Sequence, residues 1–245
     1  MLPIGKNTAS LVVNETRLWG DFNRTIGLHL VTGDFTIVDP NGNKALDQQG
    51  HSTLLYPEIV LEKKRADDPL FVRDGYVITV AARGAPGLLS DTSFAQVRGD
   101  AKWIHAFGDS QRLIVRGSLG AMEVGNFDDL TPDLRFFAGG DRSIRGYAFQ
   151  TIGPQTPEGL VIGGEDLVVG SAEYEYYFKP NWGIATFIDT GDAFSTFNDY
   201  RQKIGVGIGA RWRSPVGMVR VDFGFPVHDD QNSGIELHLV IGPDL

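Results

Sequence analysis

The side chains with the greatest capacity for chemistry are charged groups in two parts of the sequence. Glu173 and Glu175 are two positions apart, a spacing that places both carboxylates on one face of a strand, where they could act as general acid and base. Arg142 and Arg145 lie in a segment rich in glycine and aromatic residues, Leu134 to Pro154. A guanidinium group binds carboxylates through paired hydrogen bonds. Catalysis, structural ion pairing and a plain solvated loop are therefore the competing interpretations.

Recognisable catalytic motifs are absent from the sequence. None of the five histidines has metal-ligand spacing such as HExxH. The five are His29, His51, His105, His228 and His238. The group His228, Asp229 and Asp230 is more simply a solvated loop. There is no G-x-S-x-G nucleophile elbow, no phosphate-binding loop and no cysteine. The sequence predicts a protein that is not an enzyme and that needs no metal or other cofactor.

Composition narrows the class of protein further. The 245 residues include 31 acidic and 22 basic side chains, and the net charge of -9 argues against nucleic-acid binding, which needs a basic face. No apolar run approaches the roughly 18 residues of a membrane helix, although a membrane β-barrel needs apolar residues only at every second position. Met1 is followed by Leu2 and Pro3 without the features of a signal peptide, so we expect a removed signal or a fragment.

The strongest pattern in the sequence is the alternation of apolar residues with small or charged ones. This pattern identifies the elements that must position the charged side chains. Ile204, Val206, Ile208, Ala210 and Trp212, for example, interleave with glycine, lysine and arginine. A strand places the two sets on opposite faces. The pattern predicts eleven strands, at 10–19, 24–38, 53–62, 74–83, 94–107, 111–122, 167–178, 182–189, 203–213, 217–225 and 234–241.

Strand length separates two all-β architectures. Strands of soluble sandwiches usually have about 5–6 residues, whereas membrane strands need about 9–11, and the runs at 94–107 and 203–213 are of the longer kind. Aromatic residues near strand ends also fit the interfacial girdle of a membrane barrel, and these are Trp103, Phe107, Tyr177, Phe178, Trp182 and Trp212. The sequence favours an antiparallel transmembrane β-barrel, with the soluble sandwich as the alternative.

The connections between the predicted strands alternate in length, as in outer-membrane barrels with short periplasmic turns and long external loops. Those at 108–110, 179–181 and 214–216 are short, and those at 39–52, 84–93, 123–166, 190–202 and 226–233 are long. The stretch 63–73 is long where a short turn is expected. An odd number of strands suggests that preceding strands are missing or that one pairing is misread.

A motif in the longest connection resembles a known family. GGDRSIRGY, Gly139 to Tyr147, is similar to the loop-six signature of the outer-membrane protein assembly and translocation superfamily, which includes BamA, TamA and the two-partner secretion transporters and is also called the bacterial surface antigen superfamily. The longer string FFAGGDRSIRGY most resembles the TamA-like branch. Four later strings resemble it in the same order, namely SAEYEYYF, FIDTGDAF, GVGIGARWRSPVGMVRVDFGFPV and IGPDL.

The resemblance implies that this loop folds back into the barrel and that its arginine packs against acidic residues of the inner wall. Arg145 is then that arginine, and Glu173 and Asp189 are its expected partners; Glu173 lies on the polar face of its strand. The loop-six motif comprises Gly139, Gly140, Asp141, Arg142, Ile144, Arg145, Gly146 and Tyr147. For Glu173 and Asp189 the alternative role is simple lining of the lumen. For Arg142 the alternative is an exposed charge, and for Tyr147 and Phe149 it is packing within the loop core.

The resemblance also implies a function. We expect residues 1–245 to form one outer-membrane β-barrel domain, the C-terminal eleven or twelve of about 16 strands, without the first strand of the gate and without the periplasmic POTRA domains. The expected function is the insertion or translocation of unfolded outer-membrane proteins such as autotransporters, in contact with outer-membrane lipid and with a TamB-like partner in the periplasm. A passive pore or a two-partner secretion transporter is the alternative.

Overall fold

A computed structural model describes residues 4–38, 44–215, 217–227 and 234–245. Its eleven strands form one antiparallel sheet in which each strand pairs with its neighbours in chain order. The strands are β1 (Ile4–Trp19), β2 (Phe22–Val38), β3 (Lys44–Ala66), β4 (Gly75–Ala85), β5 (Phe94–Phe107), β6 (Gln111–Val124), β7 (Asp166–Lys179), β8 (Trp182–Phe194), β9 (Lys203–Ser214), β10 (Gly217–Val227) and β11 (Glu236–Gly242). The predicted all-β antiparallel fold is confirmed. Across the described ranges, no helix is both long and apolar enough to span a membrane.

The outer face of the sheet is apolar and uncovered. Large apolar side chains that are more than a third exposed occur on most strands, among them Leu11, Val13, Leu28, Val97, Leu119, Ile184, Ile188, Leu237 and Leu239. On the opposite face of the same strands, Arg112 and Arg211 are almost fully buried. A soluble sandwich would bury the apolar face in its core, so the sandwich alternative is wrong. The outer face is suited to lipid.

Aromatic side chains mark the end of the sheet that carries the short turns. Trp182 and Trp212 are both partly exposed on the outer face, and their rings stack at 5.7 Å. Tyr177 does not join them, although the sequence placed it in this girdle. It follows Glu173 and Glu175 in strand phase, so it faces inward and donates a hydrogen bond to Glu175 at 3.0 Å.

Most predicted connections agree with the structure. The differences arise where a strand extends beyond the residues that alternate in the sequence. β5 and β6 are joined by 108–110, and β7 and β8 by 180–181. The predicted connection 39–52 is too long, because β3 begins at Lys44 and pairs with β2 there and from Gln49 to Glu62. Residues 39–43, Val216 and 228–233, including the His228 group, lie outside the described residues.

The apolar core lies inside the curved sheet, between its inner wall and the long connection from β6 to β7, residues 125–165, here called loop six. Three isolated bridges fold the loop upon itself, Phe136 with Gly164, Ala138 with Ile152, and Gln155 with Val161. The loop contributes Leu130, Leu134, Phe136, Ala138, Ile144, Tyr147 and Ile152 to the core, and the wall contributes Leu54, Tyr56, Phe94, Met122, Leu167 and Val169. Loop six is therefore a folded plug with a packed interior.

The sheet has two edges among the described strands. β1 pairs with β2 alone, and β11 pairs with β10 alone, from Gly224–Glu236 to Met218–Gly242. The residues that follow β11 nevertheless contact β3, β5 and β6 across the interior. The sheet is therefore strongly curved, and it encloses loop six and residues 243–245.

Candidate functional site in the barrel lumen

Glycine shapes the tip of loop six. Gly139, Gly140 and Gly146 have φ values of 99°, 100° and 96°, a region that side-chain-bearing residues rarely adopt. The Gly140 amide donates to the carbonyl oxygens of Ile144 and Tyr147 at 3.2 and 3.0 Å, which closes a tight turn around Arg145. The GGDRSIRGY spacing thus makes a compact tip that presents one arginine.

The wall beneath the tip is also built from glycine. A Cβ atom at Gly205 of β9 would lie 1.8 Å from the Arg145 carbonyl oxygen, and one at Gly224 of β10 would lie 2.4 Å from the Gly146 nitrogen. Any larger residue at either position would displace the tip. Gly205 and Gly224 therefore admit the loop backbone, because a close approach of two backbones leaves no room for a side chain.

Arg145 is held by three carboxylates from three strands. Its Nε and its backbone amide donate to Asp189 Oδ2 at 2.8 and 2.9 Å, and its Nη2 donates to Asp189 Oδ1 at 3.0 Å. Its Nη1 donates to Glu173 Oε2 at 2.5 Å and to Asp222 Oδ2 at 3.1 Å. The guanidinium carbon lies 3.5 Å from the centre of the Phe187 ring. All three carboxylates are buried, so this geometry fixes the arginine in one orientation.

The ion pairs continue beyond Arg145. Arg211 donates to Glu173 Oε1 at 2.7 Å, to Glu175 Oε1 at 2.9 Å and to Asp222 Oδ1 at 2.6 Å. Arg112 donates to Glu175 Oε2 at 2.8 Å. Buried charges are tolerated when they are paired and hydrogen-bonded. Because arginines engage both Glu173 and Glu175, the pair is suited to positioning rather than to proton transfer.

The other motif residues divide between core and surface. Ile144 and Tyr147 are 0% and 1% exposed and belong to the apolar core. The carbonyl oxygen of Asp141 accepts a hydrogen bond from Arg116 Nη1 at 3.1 Å. Arg142 is exposed, as is Phe149, which lies outside the core although loop core was one interpretation of it.

Sequence reasoning did not assign Arg211, Asp222 or Arg112 to this site. Their strand phase did place them on the polar inner face, since Arg211 interleaves with Ala210 and Trp212. Phase identifies the face of a side chain but not its partner across the lumen. His238 was likewise unassigned, and its Nε2 accepts a long hydrogen bond of 3.4 Å from the Gly146 amide.

Comparisons with known proteins agree with this architecture. A family model for the Omp85 superfamily domain matches residues 7–243. The outer membrane protein assembly factor BamA of Nitratidesulfovibrio vulgaris is 42% identical over 111 residues, an alignment that covers 41% of this chain and 14% of that protein.

Two solved structures share the fold at low sequence identity. BamA from Haemophilus ducreyi lacking POTRA domains 1–3 matches with a TM-score of 0.76 and 18% identity, over 97% of this chain and 54% of that one. CdiB from Acinetobacter baumannii matches with a TM-score of 0.59 and 13% identity, over 94% of this chain and 40% of that one. The chain therefore spans about half of each solved relative or less.

The family match extends over nearly the whole chain, and it coincides with a lipid-suited outer face and with an arginine-bearing loop inside the sheet. These features locate the protein in the bacterial outer membrane. The chain belongs to the Omp85 superfamily.

Proposed function

We propose that this chain forms the barrel of an outer-membrane assembly factor that inserts or translocates unfolded outer-membrane proteins. The observation that carries the proposal is the docking of Arg145 on Glu173, Asp189 and Asp222 inside the barrel of an Omp85 protein. The similarity to a BamA protein supports the same reading. In this proposal the ion pairs hold loop six in the lumen and so fix the inner shape of the β7–β10 wall.

A second element of the proposal is the free sheet edge. β11 has only seven residues and pairs with β10 alone among the described strands. An unpaired edge in lipid leaves backbone hydrogen-bonding groups unsatisfied, and it can template an incoming strand. We infer that residues 1–245 form one domain that supplies the C-terminal eleven of about 16 strands, and that the strand completing the gate lies outside them.

The TamA-like branch is the finer assignment that we propose within the superfamily. It is supported by the string FFAGGDRSIRGY and by the four later strings in the same order. On this assignment the substrates are autotransporters, and the partner is a TamB-like protein that extends through the periplasm. Co-purification of such a protein from bacterial envelopes tests the assignment, and capture of other accessory proteins in its place would contradict it.

The assembly activity is testable in lipid vesicles that contain the protein in its natural, full-length form. Folding of an added, unfolded autotransporter barrel is followed by its heat-dependent shift in gel mobility. We expect Arg145→Ala to slow folding strongly and the exposed Arg142→Ala to leave it unchanged, although both remove an arginine from the same loop. Equal rates for the wild type and both variants would reject the role of the docked arginine.

A passive pore or two-partner secretion transporter is the second candidate. A cavity of about 540 Å³ in the lumen has charged side chains in its lining, including Lys102, Arg116 and Arg220, and the fold also resembles that of CdiB. Planar-bilayer recordings separate the candidates. Steady conductance, together with vesicles that do not accelerate substrate folding, would favour the pore.

A further inference from the structure

The residues that follow β11, Pro243 to Leu245, form a short tail that lies within the curved sheet rather than along its edge. β11 ends at Gly242, and Asp244 is only 3% exposed. The tail contacts β3, β5, β6 and β10 as well as the turn 67–74. It therefore anchors the end of β11 to β3, β5, β6 and the turn 67–74, with which β11 does not pair.

Asp244 makes the central polar contacts of this anchor. Its Oδ2 accepts hydrogen bonds from Arg112 Nη1 at 2.7 Å and from the Val72 amide at 2.9 Å. Its Oδ1 accepts from Arg220, and its carbonyl oxygen accepts from Lys102. One carboxylate thus joins β6, β10 and the turn between β3 and β4.

Apolar packing accompanies the ionic contacts. Leu245 packs against a small cluster formed by Val72, Ile104 and Ile114. The turn 67–74 corresponds to the connection predicted at 63–73, which was long on the side where short turns are expected. Its length allows Val72 to reach the tail, and it places the centre of the Phe71 ring 4.0 Å from the Arg112 guanidinium carbon.

The anchor and the tip of loop six are joined by groups that each bind two partners. Arg112 binds both Asp244 and Glu175. Arg211 binds both Glu175 and Glu173, and Glu173 binds Arg145. Charge therefore alternates along a continuous buried path from Asp244 to Arg145. Loss of a charge at one end leaves its buried partner without a counter-charge. The remaining charged groups must then rearrange to pair with that partner.

We propose that Asp244 is a positioning residue that couples the end of β11 to the docked tip of loop six through Arg112, Glu175, Arg211 and Glu173. When the tail is docked, Arg112 divides its hydrogen bonds between Asp244 and Glu175, and Arg211 binds the second oxygen of Glu175 while it orients Glu173 toward Arg145. When the tail leaves, Arg112 and Arg211 compete for the same carboxylates, and the hold on Arg145 weakens. The inference concerns a coupling within the barrel, and it stands or falls separately from the assembly activity.

Cysteine labelling tests the coupling, since residues 1–245 contain no cysteine. Ser143→Cys places a thiol of nearly the same size at the loop tip, where the Ser143 hydroxyl accepts a hydrogen bond from the Gly139 amide. In folded protein in detergent, we expect Asp244→Asn to raise the labelling rate of this thiol roughly 5- to 30-fold. Asp244→Glu should restore most of the protection. Asp109→Asn, the same change at a fully exposed side chain at the same end of the barrel, should have no effect.

Two further thiols distinguish coupling from general loosening. Coupling is reciprocal, so Arg145→Ala should raise the labelling rate of a thiol introduced by Leu245→Cys, while Arg142→Ala should not. A thiol introduced by Ser52→Cys, buried on β3 beside the base of loop six, should remain protected throughout. The proposal is overturned if the labelling rate rises equally at Ser52→Cys. It is also overturned if the tail is released while the labelling rate at Ser143→Cys stays unchanged. If Asp244→Asn does not fold, Arg220→Gln removes one partner of Asp244 and is expected to act in the same direction.

Discussion

The base and the tip of loop six share one apolar core in the lumen, but the tip is also bound to the wall by buried ion pairs. At the base, Leu134 and Phe136 pack in an apolar core with Tyr56 and Phe94 of the wall. At the tip, Arg145 is bound by carboxylates of β7, β8 and β10. Apolar packing tolerates changes that conserve volume, whereas a buried ion pair depends on geometry and on both partners. The base thus attaches the loop, and the tip sets its position.

The two buried arginines of the loop repeat this contrast. Arg135, at the base, donates to the backbone carbonyl oxygens of Leu130, Ile162 and Phe127 at 3.0 to 3.1 Å. Burial lowers its pKa to about 10, although Asp128 opposes the shift. Arg145, in contrast, binds carboxylates that belong to the wall. These three hydrogen bonds of Arg135 therefore tie the loop to itself, whereas the ion pairs of Arg145 tie the loop to the barrel.

The largest effect is expected at the tip, from Arg145→Ala. Three buried carboxylates would lose a shared partner, and breaking such a pair costs about 3–5 kcal/mol. The tip should leave the wall while the base remains packed, so limited proteolysis should cut near residues 140–150 and leave the strands intact. Arg142→Ala is the matched control, and identical digestion patterns for the two variants would contradict the assignment.

Leu134→Ala tests the base, where the expected loss is about 2–5 kcal/mol for a buried leucine. The comparison becomes sharper with conservative changes. Leu134→Met should cost less than about 1.5 kcal/mol, whereas Arg145→Lys should remain disruptive because an ammonium group cannot replace the guanidinium geometry. Thermal unfolding in detergent measures both. Equal tolerance of the two conservative changes would remove the distinction between base and tip.

Gly205→Ala is expected to disturb the tip without changing a charge. The added methyl group would meet the Arg145 carbonyl oxygen, and overpacking of this kind costs about 1–3 kcal/mol. Proteolysis near residues 140–150 should increase, but less than for Arg145→Ala. Gly170→Ala adds the same methyl group on β7 where no atom lies within 4 Å. If both alanine variants behave as the wild type, the glycine wall does not position the loop.

Acid should weaken the ionic contacts in the lumen and leave the apolar contacts unchanged. Near neutral pH we expect the smallest effect. Burial raises the pKa of the Asp244 carboxyl, but Arg112, Arg220 and Lys102 outweigh it, and the pKa lies below its ordinary value of 3.8. A lowered pKa stabilises the fold above that ordinary value, and the stabilisation is lost as the pH falls through the folded pKa.

Amide hydrogen exchange follows this acid response. The Val72 amide donates to Asp244, so its protection, corrected for intrinsic exchange, should stay constant from pH 7 to 5 and fall only below about pH 4. The Phe136 amide, bound to the Gly164 carbonyl oxygen at the base, should stay protected. Loss of protection at Val72 already at pH 5 to 6 would contradict the shift.

Much of this fold could be predicted from sequence, because each face of a strand repeats every second residue. The faces of β9 and β10 follow directly from that alternation. The first part of β3 could not be predicted, since KALDQQGHS has no alternating pattern and becomes a strand through its pairing with β2. The tail IGPDL likewise carries no local signal for its contacts with Arg112 and Lys64.

The site was predictable in a different way. Arg145 and its partners Glu173 and Asp189 were proposed from a motif resemblance together with strand phase, and the structure places all three in contact. Asp222 and Arg211 complete the arrangement from strands that are distant in sequence. Their contacts depend on the curvature of the sheet, which no local pattern encodes.

The length of β3 has a consequence for the outside of the cell. Its 23 residues extend roughly 75 Å at about 3.3 Å each, or some 50 Å along the membrane normal at a tilt of about 45°, against a hydrocarbon thickness of about 30 Å. On the outer face of the β2–β3 pair, His51 hydrogen-bonds Asp34 at 2.9 Å, and Thr32 hydrogen-bonds Thr53 at 2.9 Å. We expect this polar ribbon to stand beyond the hydrocarbon layer, where it meets water rather than lipid chains.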